Sequence, residues 1–341
     1  MKKVKWLNVA LASMLCLVLI IAGCGASDGA QENAAAGTEA SQGSGEEDAA
    51  AETEPAAEEA STRTIEHIMG STEVPAKPER VIVLTNEGTE ALLALGVKPA
   101  GAVKSWTGDP WYEHIKHQME GVTNIGEESQ PNLELIAGLK PDLILGNKMR
   151  HEEIYEELSA IAPTVFTETL RGKWQENFKV YADTLNLTAE GEKVLADYDA
   201  RIEELKTKLG DRLSTKVSIV RFMAGDTRIY HKDTFSGVIL DAIGLARPEA
   251  QDVDDFAARN VTKERIGEMD GDILFYFTYE TGDGAATAVE NEWLKDPLWQ
   301  QLEVVKAGNV HKVDDAIWNT AGGVLAANLM LDDLATYFEI E

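Results

Sequence analysis

Basic and aromatic side chains follow the ends of several predicted strands in this chain. A guanidinium group donates paired hydrogen bonds to carboxylate oxygens, and an aromatic ring supplies a flat apolar wall. Ligand crevices of α/β proteins open at the carboxyl ends of strands, so these positions predict an anion-binding site. The candidates, strongest first, are Arg150, Arg171, Arg221, Trp106 and Trp318, followed by Tyr230, His231, Arg228, Lys148 and Phe235. Any one of them alone could be a surface charge or a packing aromatic, and His231 could be a solvated loop histidine.

The charge balance restricts where an anion could bind. The 341 residues include 59 acidic and 31 basic side chains, which give a formal net charge of -28. This sign disfavours nucleic-acid binding. An acidic surface also repels small anions, so an anion site requires a local cluster of basic residues.

Motifs for catalysis or for direct metal capture are weak in this sequence. His114 and His117 form a lone His-x-x-His without carboxylate ligands at clear spacing. The chain contains no GxSxG, Walker or dinucleotide-binding motif. We therefore expect that the protein is not an enzyme, needs no cofactor and binds no metal ion directly.

The N-terminal 60 residues predict export and tethering. Lys2, Lys3 and Lys5 precede an apolar run from Val9 to Ile21, and the segment ends in Ile-Ala-Gly-Cys at Cys24. This pattern predicts a signal peptide at 1–24, and its end resembles the lipobox of bacterial lipoproteins, which implies lipid attachment at Cys24. A simple signal peptide with a chance cysteine is the alternative. Residues 25–60 contain ten acidic residues and no Lys or Arg, which predicts a disordered acidic tether.

Strand and helix patterns alternate through the rest of the chain, which predicts the α/β class. An apolar helix over 89–101 is expected to end at Gly96. The region 188–209 lacks Pro and carries one apolar stripe, which predicts a single long helix, with a coiled-coil dimer as the alternative. The predicted strands are 80–84, 142–146, 163–166, 216–222, 272–277 and 309–313.

One motif occurs twice, in PNLELIAGLKPDLILG at 131–146 and in VTKERIGEMDGDILFYF at 261–277. In each copy a glutamate (Glu134, Glu264) opens a short amphipathic run, and an aspartate (Asp142, Asp272) eight residues later leads into a predicted strand. An apolar helix ending in Gly precedes both copies. This order predicts two similarly built lobes connected by the long helix.

The chain resembles the substrate-binding lipoproteins of iron-siderophore ABC importers, the helical-backbone class of periplasmic-type binding proteins. The resemblance rests on KPERVIVL, EALLALGVKPAG, PNLELIAGLKPDLIL, the linking helix and IWNTAGGVLAANLMLDDL. It implies two Rossmann-like lobes joined by one long rigid helix, with the ligand cleft between the lobes. The implied domains are a first lobe at 61–186, a linking helix at 187–210 and a second lobe at 211–341.

The resemblance also implies a function. The chain would capture a ferric siderophore, of hydroxamate or citrate-hydroxamate type, with the candidate residues named above. Glu134 and Glu264 would engage arginines of the two subunits of an ABC permease, which works with separate ATPase subunits. Each glutamate alone could instead be a first-turn residue that the helix dipole favours. The expected form is a lipid-anchored monomer on the extracytoplasmic face of the cell membrane, of Gram-positive type.

Two alternatives remain open from the sequence. The same fold could bind haem, a corrinoid or ferric citrate, and Tyr230 and His231 are the candidates for a haem axial ligand. A surface adhesin or a hydrolase is the alternative from another class, in which the repeated glutamates would have no permease to contact.

Overall fold

The computed structural model describes residues 61–340. The predicted signal peptide, the predicted lipid attachment at Cys24 and the predicted acidic tether lie outside the described residues. Within 61–340, no helix is both long enough and apolar enough to cross a membrane.

The described chain before the long helix builds a mostly parallel sheet, here called the first sheet. Its strand order is β6-β5-β4-β3-β7-β8, and β6 alone runs antiparallel to its neighbour. The hairpin β1-β2 lies beside β8, where Thr72 donates to the carbonyl of Thr164. The elements are β1 (Thr62–His67), β2 (Gly70–Pro75), β3 (Val81–Val83), α1 (Asn86–Ala94), β4 (Gly101–Lys104), β5 (Thr123–Glu127), β6 (Gln130–Pro131), α2 (Leu133–Gly138), β7 (Leu143–Asn147), α3 (Lys148–His151), α4 (Tyr155–Ser159), β8 (Thr164–Thr167) and α5 (Trp174–Thr184).

Apolar runs form the centre of the first sheet. Every residue of β3 and of β7 is buried, as expected for parallel strands that are covered by helices on both faces. Ile144 of β7 pairs with Ile82 on one side and with Thr164 on the other. The strands predicted at 80–84, 142–146 and 163–166 are therefore present, with ends shifted by one residue or so.

The helix α1 begins earlier than the sequence pattern predicts. Thr85 accepts a hydrogen bond from the backbone N–H of Gly88 and so caps the helix start. A side chain at Gly88 would approach Val83 to 2.7 Å, so the helix packs closely on its preceding strand. The helix ends before Gly96, whose φ of 73° suits the turn that follows.

The long helix α6 spans Thr188–Leu209, which are the bounds predicted from the sequence. Its apolar stripe is buried, and the buried residues are Leu195, Tyr198, Ile202, Leu205 and Leu209. It packs against α5 of the preceding region and against helices of the following region. Intramolecular packing thus accounts for the stripe, which leaves no apolar face for a coiled-coil partner. Leu187 occupies the N-cap position of α6 and makes no capping hydrogen bond through its side chain.

A second sheet forms after α6, with strand order β11-β10-β9-β12-β13. The strands β9, β12 and β13 are parallel, whereas β10 and β11 are antiparallel to their neighbours. The elements are β9 (Val217–Met223), β10 (Asp226–Tyr230), α7 (Phe235–Ile243), β11 (Ala257–Ala258), β12 (Ile273–Tyr279), α8 (Ala285–Leu294), α9 (Glu303–Lys306), β13 (Val310–Lys312) and α10 (Val324–Tyr337). Short 3-10 helices lie at Gly210–Ser214, Lys263–Met269 and Trp299–Gln301, and a short π-helix lies at Ala316–Thr320.

The repeated sequence motif corresponds to a repeated structural feature. Asp142, just before β7, accepts hydrogen bonds from the backbone N–H groups of Glu79 and Arg80 ahead of β3. Asp272, just before β12, accepts one from Lys216 ahead of β9. Each aspartate therefore joins the starts of two neighbouring parallel strands.

Helix caps repeat in the same way. Thr234 accepts from the N–H of Gly237 at the start of α7, as Thr85 does from Gly88 at the start of α1. The α/β class is confirmed, and the two sheets are consistent with the predicted pair of lobes. Both sheets lie within one compact unit of the chain.

Candidate ligand-binding site

A cavity of about 400 Å³ lies where segments following the strands of both sheets meet. We call it the central cavity. Of the described residues, five arginines line it, together with aromatic rings of both halves. The arginines are Arg150, Arg171, Arg221, Arg228 and Arg259, and the aromatic residues are Trp106, Tyr230, Phe256 and Tyr279.

Arg150 reaches the cavity from α3, directly after β7. Asn147 caps α3 by accepting from the N–H of Met149, which fixes the turn that carries the arginine. The Nε of Arg150 donates to Glu128 at 3.1 Å, and its guanidinium lies 5.7 Å from the ring centre of Trp106. The other oxygen of Glu128 accepts from the backbone and side-chain nitrogens of Asn86, both at 2.9 Å. Glu128 therefore orients the arginine while it is itself fully bonded.

Arg221 forms a corresponding arrangement on the second sheet. It lies in β9 and donates to both carboxylate oxygens of the buried Asp315, at 2.7 and 3.1 Å. It also donates to the hydroxyl of Tyr230 at 3.2 Å, and it lies 4.9 Å from the ring centre of Tyr279. Each half of the protein thus contributes one arginine that is bonded to an acidic side chain and lies over an aromatic ring.

The two aromatic rings meet across the cavity. Trp106 follows β4 and Tyr279 ends β12, and their ring centres are 6.5 Å apart with the planes at 72°. Such edge-to-face contacts are favourable for aromatic pairs. The contact joins the two halves of the protein at the cavity wall.

Two more of the arginines lie over the ring of Phe256. The guanidinium groups of Arg171 and Arg259 lie 5.5 and 5.1 Å from its ring centre. Arg171 also pairs with Asp233 at 3.5 Å, and Arg228 donates to Asp226 at 2.6 Å. The guanidinium groups are thereby held around an apolar ring. This arrangement suits a ligand that combines anionic oxygen atoms with apolar groups.

The central cavity is locally basic. Its five arginines face two lining carboxyl groups, those of Glu87 and Glu128, in a chain whose formal charge is -28. Burial raises the pKa of Tyr230 and of Tyr279, so both phenols stay protonated near neutral pH. The local cluster of basic residues that the sequence requires for an anion is present here.

Glu87 is unusual among the lining groups because burial raises its pKa well above the ordinary value. Its position in the first turn of α1 favours the anion by about 0.3 to 1 kcal/mol. Burial of an unpaired carboxylate costs several kcal/mol, which is the larger effect. Nearby Glu128 and Glu90 further disfavour ionisation.

A second, more open cavity of about 810 Å³ adjoins the first and shares Met149, Arg150 and Arg171 with it. Lys148 lines this outer cavity and pairs with Glu152 at 3.6 Å. Acidic residues balance the bases there, so the central cavity is the better anion site.

Residues 81–316 match the protein family described as "Periplasmic binding protein". The chain belongs to this family. Its members are binding proteins rather than enzymes, and the same therefore holds for this one.

Several relatives of this binding protein are named for the binding of a siderophore or of ferric citrate. It is 53% identical over 287 residues to the "Probable siderophore-binding lipoprotein YfiY" of Bacillus subtilis (strain 168). The matched region covers 82% of this chain and 88% of that protein. It is 33% identical to the "Achromobactin-binding periplasmic protein" of Dickeya dadantii (strain 3937), over 76% of this chain and 86% of that one. The crystal structure of Staphylococcus aureus SirA complexed with staphyloferrin B superposes with a TM-score of 0.76 at 35% identity, and covers 82% of this chain and 99% of SirA.

Six of the ten predicted ligand residues line the central cavity of this binding protein. They are Arg150, Arg171, Arg221, Arg228, Trp106 and Tyr230. Lys148 lies in the outer cavity instead.

Three predicted residues are packed away from both cavities. Trp318 is fully buried, where its ring lies 4.6 Å from that of Phe275 and its Nε1 donates to Asp333. Phe235 begins α7 and is buried against Trp174. His231 is 7% exposed and bonded to Asp255. In each case the chain after the strand turns away from the cavities, so the side chain joins the core or a local hydrogen bond.

The paired glutamates, Glu134 and Glu264, are both exposed. Glu134 lies in the first turn of α2, which Asn132 caps. Glu264 lies in the first turn of the 3-10 helix Lys263–Met269, and a hydrogen bond from Thr262 lowers the pKa of its carboxyl group. The motif therefore places an exposed acid at a helix start in both halves, although the helix types differ.

The sequence patterns missed several lining residues. Tyr279 lies two residues beyond a predicted strand, so the rule applied to the other candidates could have found it. Arg259 and Phe256 follow no predicted strand, and Glu87 and Glu128 carry the wrong charge for an anion site. Nothing local in the sequence indicates that these four face the cavity.

His114 does not belong to a metal site in the described structure. It bonds to the buried Glu90, whose other oxygen accepts from the N–H of Ala326. Within the described range, no group of three or more His, Cys, Asp or Glu side chains could hold a metal ion.

Proposed function

We propose that this binding protein captures a ferric siderophore in the central cavity and delivers it to an ABC permease for iron uptake. The observation that carries the proposal is the set of five arginines at the junction of the two sheets, four of which lie over aromatic rings. Ferric chelates with carboxylate or hydroxamate arms present clustered, partly anionic oxygens, which guanidinium groups bind well. The names of the relatives support the same class of ligand.

The chelate class favoured by the cavity carries carboxylates. Arg150 and Arg171 are each only partly engaged by protein acids and remain 39% and 43% exposed at the side chain. A planar guanidinium matches a carboxylate in two parallel hydrogen bonds. A citrate-hydroxamate chelate combines such carboxylates with apolar arms that fit Trp106 and Phe256.

The haem alternative is disfavoured by the same geometry. Tyr230 is fully buried, and its hydroxyl accepts from Arg221. His231 is bonded to Asp255. Neither of the two candidate axial ligands is free to bind iron.

The proposal includes attachment and docking. Lipid at Cys24 and the tether at 25–60 would hold a monomer at the outer face of the cell membrane, with lobes at 61–186 and 211–341 and the linking helix at 187–210. The exposed Glu134 and Glu264 would contact one permease subunit each. Exposed ion pairs contribute roughly 0 to 1 kcal/mol, so the pair would set orientation more than affinity.

Quenching of tryptophan fluorescence tests the ligand. The panel contains ferric citrate, a ferric citrate-hydroxamate, a ferric tris-hydroxamate, a ferric catecholate, haem and cobalamin. We expect sub-micromolar quenching by the citrate-based chelates, because Trp106 lines the cavity, and a smaller signal in Trp106→Phe. Trp318→Phe is the matched control, since its ring is buried away from the cavity. No quenching by any iron chelate would refute the proposal.

A further inference from the structure

Glu87 lines a cavity that is otherwise built to attract anions. It belongs to α1, is 6% exposed and lies beside the Thr320–Gly322 segment of the other half of the protein. An ionised carboxylate in this position would repel the carboxylates of a chelate. The contacts of Glu87 show how the protein removes this conflict.

The hydrogen bonds of Glu87 distinguish its two oxygens. Asn177 donates to Oε1 at 2.9 Å, and Tyr181 donates to the same oxygen at 3.4 Å. The Asn177 amide also donates to the carbonyl of Thr169 at 2.6 Å, so its orientation as a donor is fixed. Oε1 is thus the acceptor, in the manner of a carbonyl oxygen. Within the described structure Oε2 has no hydrogen-bond partner, so it is the oxygen that can carry a proton and meet a ligand.

The other buried acids near the cavity have partners that suit an anion. Glu128 binds Arg150 and two nitrogens of Asn86, and Asp315 binds Arg221. Within the described part of the chain, Glu87 has no cationic partner. A buried carboxyl group without a cation is neutral unless backbone donors compensate the charge, and Glu87 accepts none.

We propose that Glu87 is a specificity-determining residue that binds the chelate as a neutral carboxylic acid and donates its Oε2 proton to a ligand oxygen. This inference rests on the proposed function. It assigns a hydrogen-bond donor to an acidic side chain, and it makes affinity depend on pH through a single group.

The surroundings of Glu87 determine the direction of this dependence. The titratable groups packed around it are Glu90 on the same helix, which is bonded to His114, Glu128, which is bonded to Arg150, and Tyr181 on α5. The five arginines line the same cavity, and within the described structure none of them is bonded to Glu87. The two neighbouring acids oppose a charge on Glu87, and burial keeps Tyr181 neutral by raising its pKa. An anionic ligand would oppose it further, so binding favours the protonated form. Affinity should therefore fall as the pH rises above the pKa of Glu87 in the free protein.

Infrared spectroscopy tests the protonation directly and without a ligand. The difference spectrum between the parent protein and Glu87→Gln at pH 7 should contain the C=O band of a protonated carboxyl group, and that band should disappear on titration to alkaline pH. Glu176→Gln, which alters an exposed acid on α5, should not produce it. Absence of the band at pH 7 would overturn the inference.

The binding test compares the dissociation constants of ferric citrate for the parent and for Glu87→Gln from pH 6 to 9. Glutamine keeps the acceptor and replaces the O–H donor by N–H, so the two proteins should bind alike at pH 6. Above the pKa of Glu87 in the free protein, the parent should weaken relative to the variant by up to about tenfold per pH unit. The ratio cancels titration of the chelate itself. If the ratio of the two dissociation constants does not change with pH, or if Glu87→Gln does not bind at pH 6, the inference is wrong but the proposed function stands. Failure of both proteins to bind overturns the inference together with the proposed ligand class.

Discussion

At the scale of residues, the central cavity is built from one arrangement used twice. Arg150 and Arg221 each lie on an aromatic ring, and each is bonded to an acid that is almost fully buried. The acids hold the guanidinium groups in place before any ligand arrives, which reduces the conformational entropy lost on binding. A lysine at either position would lose the flat contact with the ring, and at position 221 it would also lose the paired hydrogen bonds to Asp315.

Four of the five cavity arginines could be predicted from the sequence, whereas two of the four predicted aromatic residues, Trp318 and Phe235, pack elsewhere. Arg150 and Arg171 follow buried strands, and strand ends of one parallel sheet meet at one edge. Trp318 follows a strand in the same way, but it lies in the π-helix Ala316–Thr320, which packs its ring onto Phe275. A strand pattern reports where a strand ends and not the direction in which the next turn carries its side chain.

Charge reversal of the paired glutamates tests the proposed permease contact. Glu134→Lys combined with Glu264→Lys should abolish uptake of the iron chelate by cells, because two attractions to permease arginines become repulsions. Chelate binding to the purified protein should stay unchanged, since neither residue lines the central cavity. Uptake and fluorescence quenching are the two measurements.

The matched control is Glu113→Lys with Glu303→Lys, which alters one exposed acid in each half by the same charge. This variant should retain uptake. Lost uptake in the control, or lost chelate binding in Glu134→Lys with Glu264→Lys, would contradict the docking role.

At the scale of elements, helix packing connects the two halves of the protein. The helix α6 packs against α5 on one side and against α7 and α10 on the other. Its contact with α5 is close, since a Cβ atom on Gly191 would lie 2.5 Å from the Cβ of Ala182. Glycine at this position therefore serves packing, because its intrinsic cost in a helix is about 1 kcal/mol relative to alanine.

Two glycine substitutions separate packing from helix propensity. Gly191→Ala should lower the free energy of unfolding by about 1 to 3 kcal/mol through overpacking against α5. Gly138→Ala in α2 should leave it unchanged or raise it by about 0.5 to 1 kcal/mol, since no atom lies within 4 Å of the added methyl group. Urea denaturation followed by circular dichroism measures both. Equal effects of the two substitutions would show that the contact of α6 with α5 is not tight.

At the scale of the whole molecule, contacts beyond α6 also connect the two halves. Glu90 of α1 accepts from the N–H of Ala326 at the start of α10, and Gly172 donates to Asp233 at 3.2 Å. Trp106 and Tyr279 meet at the cavity. A rigid helix with several flanking contacts permits only small relative movement of the sheets.

Ligand binding should therefore close the central cavity only slightly. Spin labels at Glu157→Cys and Asp254→Cys, one in each half, should show a distance change of about 1 Å or less on addition of the chelate. Cys16→Ser and Cys24→Ser remove the two native cysteines of the sequence, so that only the introduced ones are labelled. A pair within one half, at Glu157→Cys and Glu113→Cys, gives the baseline. A change of several ångströms in the first pair alone would refute the rigid connection.

The sequence by itself determined the α/β class, the bounds of α6 and the doubled motif. Periodicity and short-range caps depend on residues that are neighbours along the chain, and they can be read without coordinates. The requirement for a local basic cluster also follows from composition alone, since a chain of net charge -28 needs one to bind an anion.

Only the tertiary structure decided which side chains share the central cavity. Phe256 and Arg259 flank β11 and Tyr279 ends β12 in the second half, whereas Glu87 and Trp106 come from the first. Their proximity depends on how the two sheets and α6 pack, which is a long-range property. The same packing buries Glu87 without a cationic partner. From the sequence alone this acid would be expected to repel an anionic ligand, whereas its burial makes it a hydrogen-bond donor to the proposed ligand.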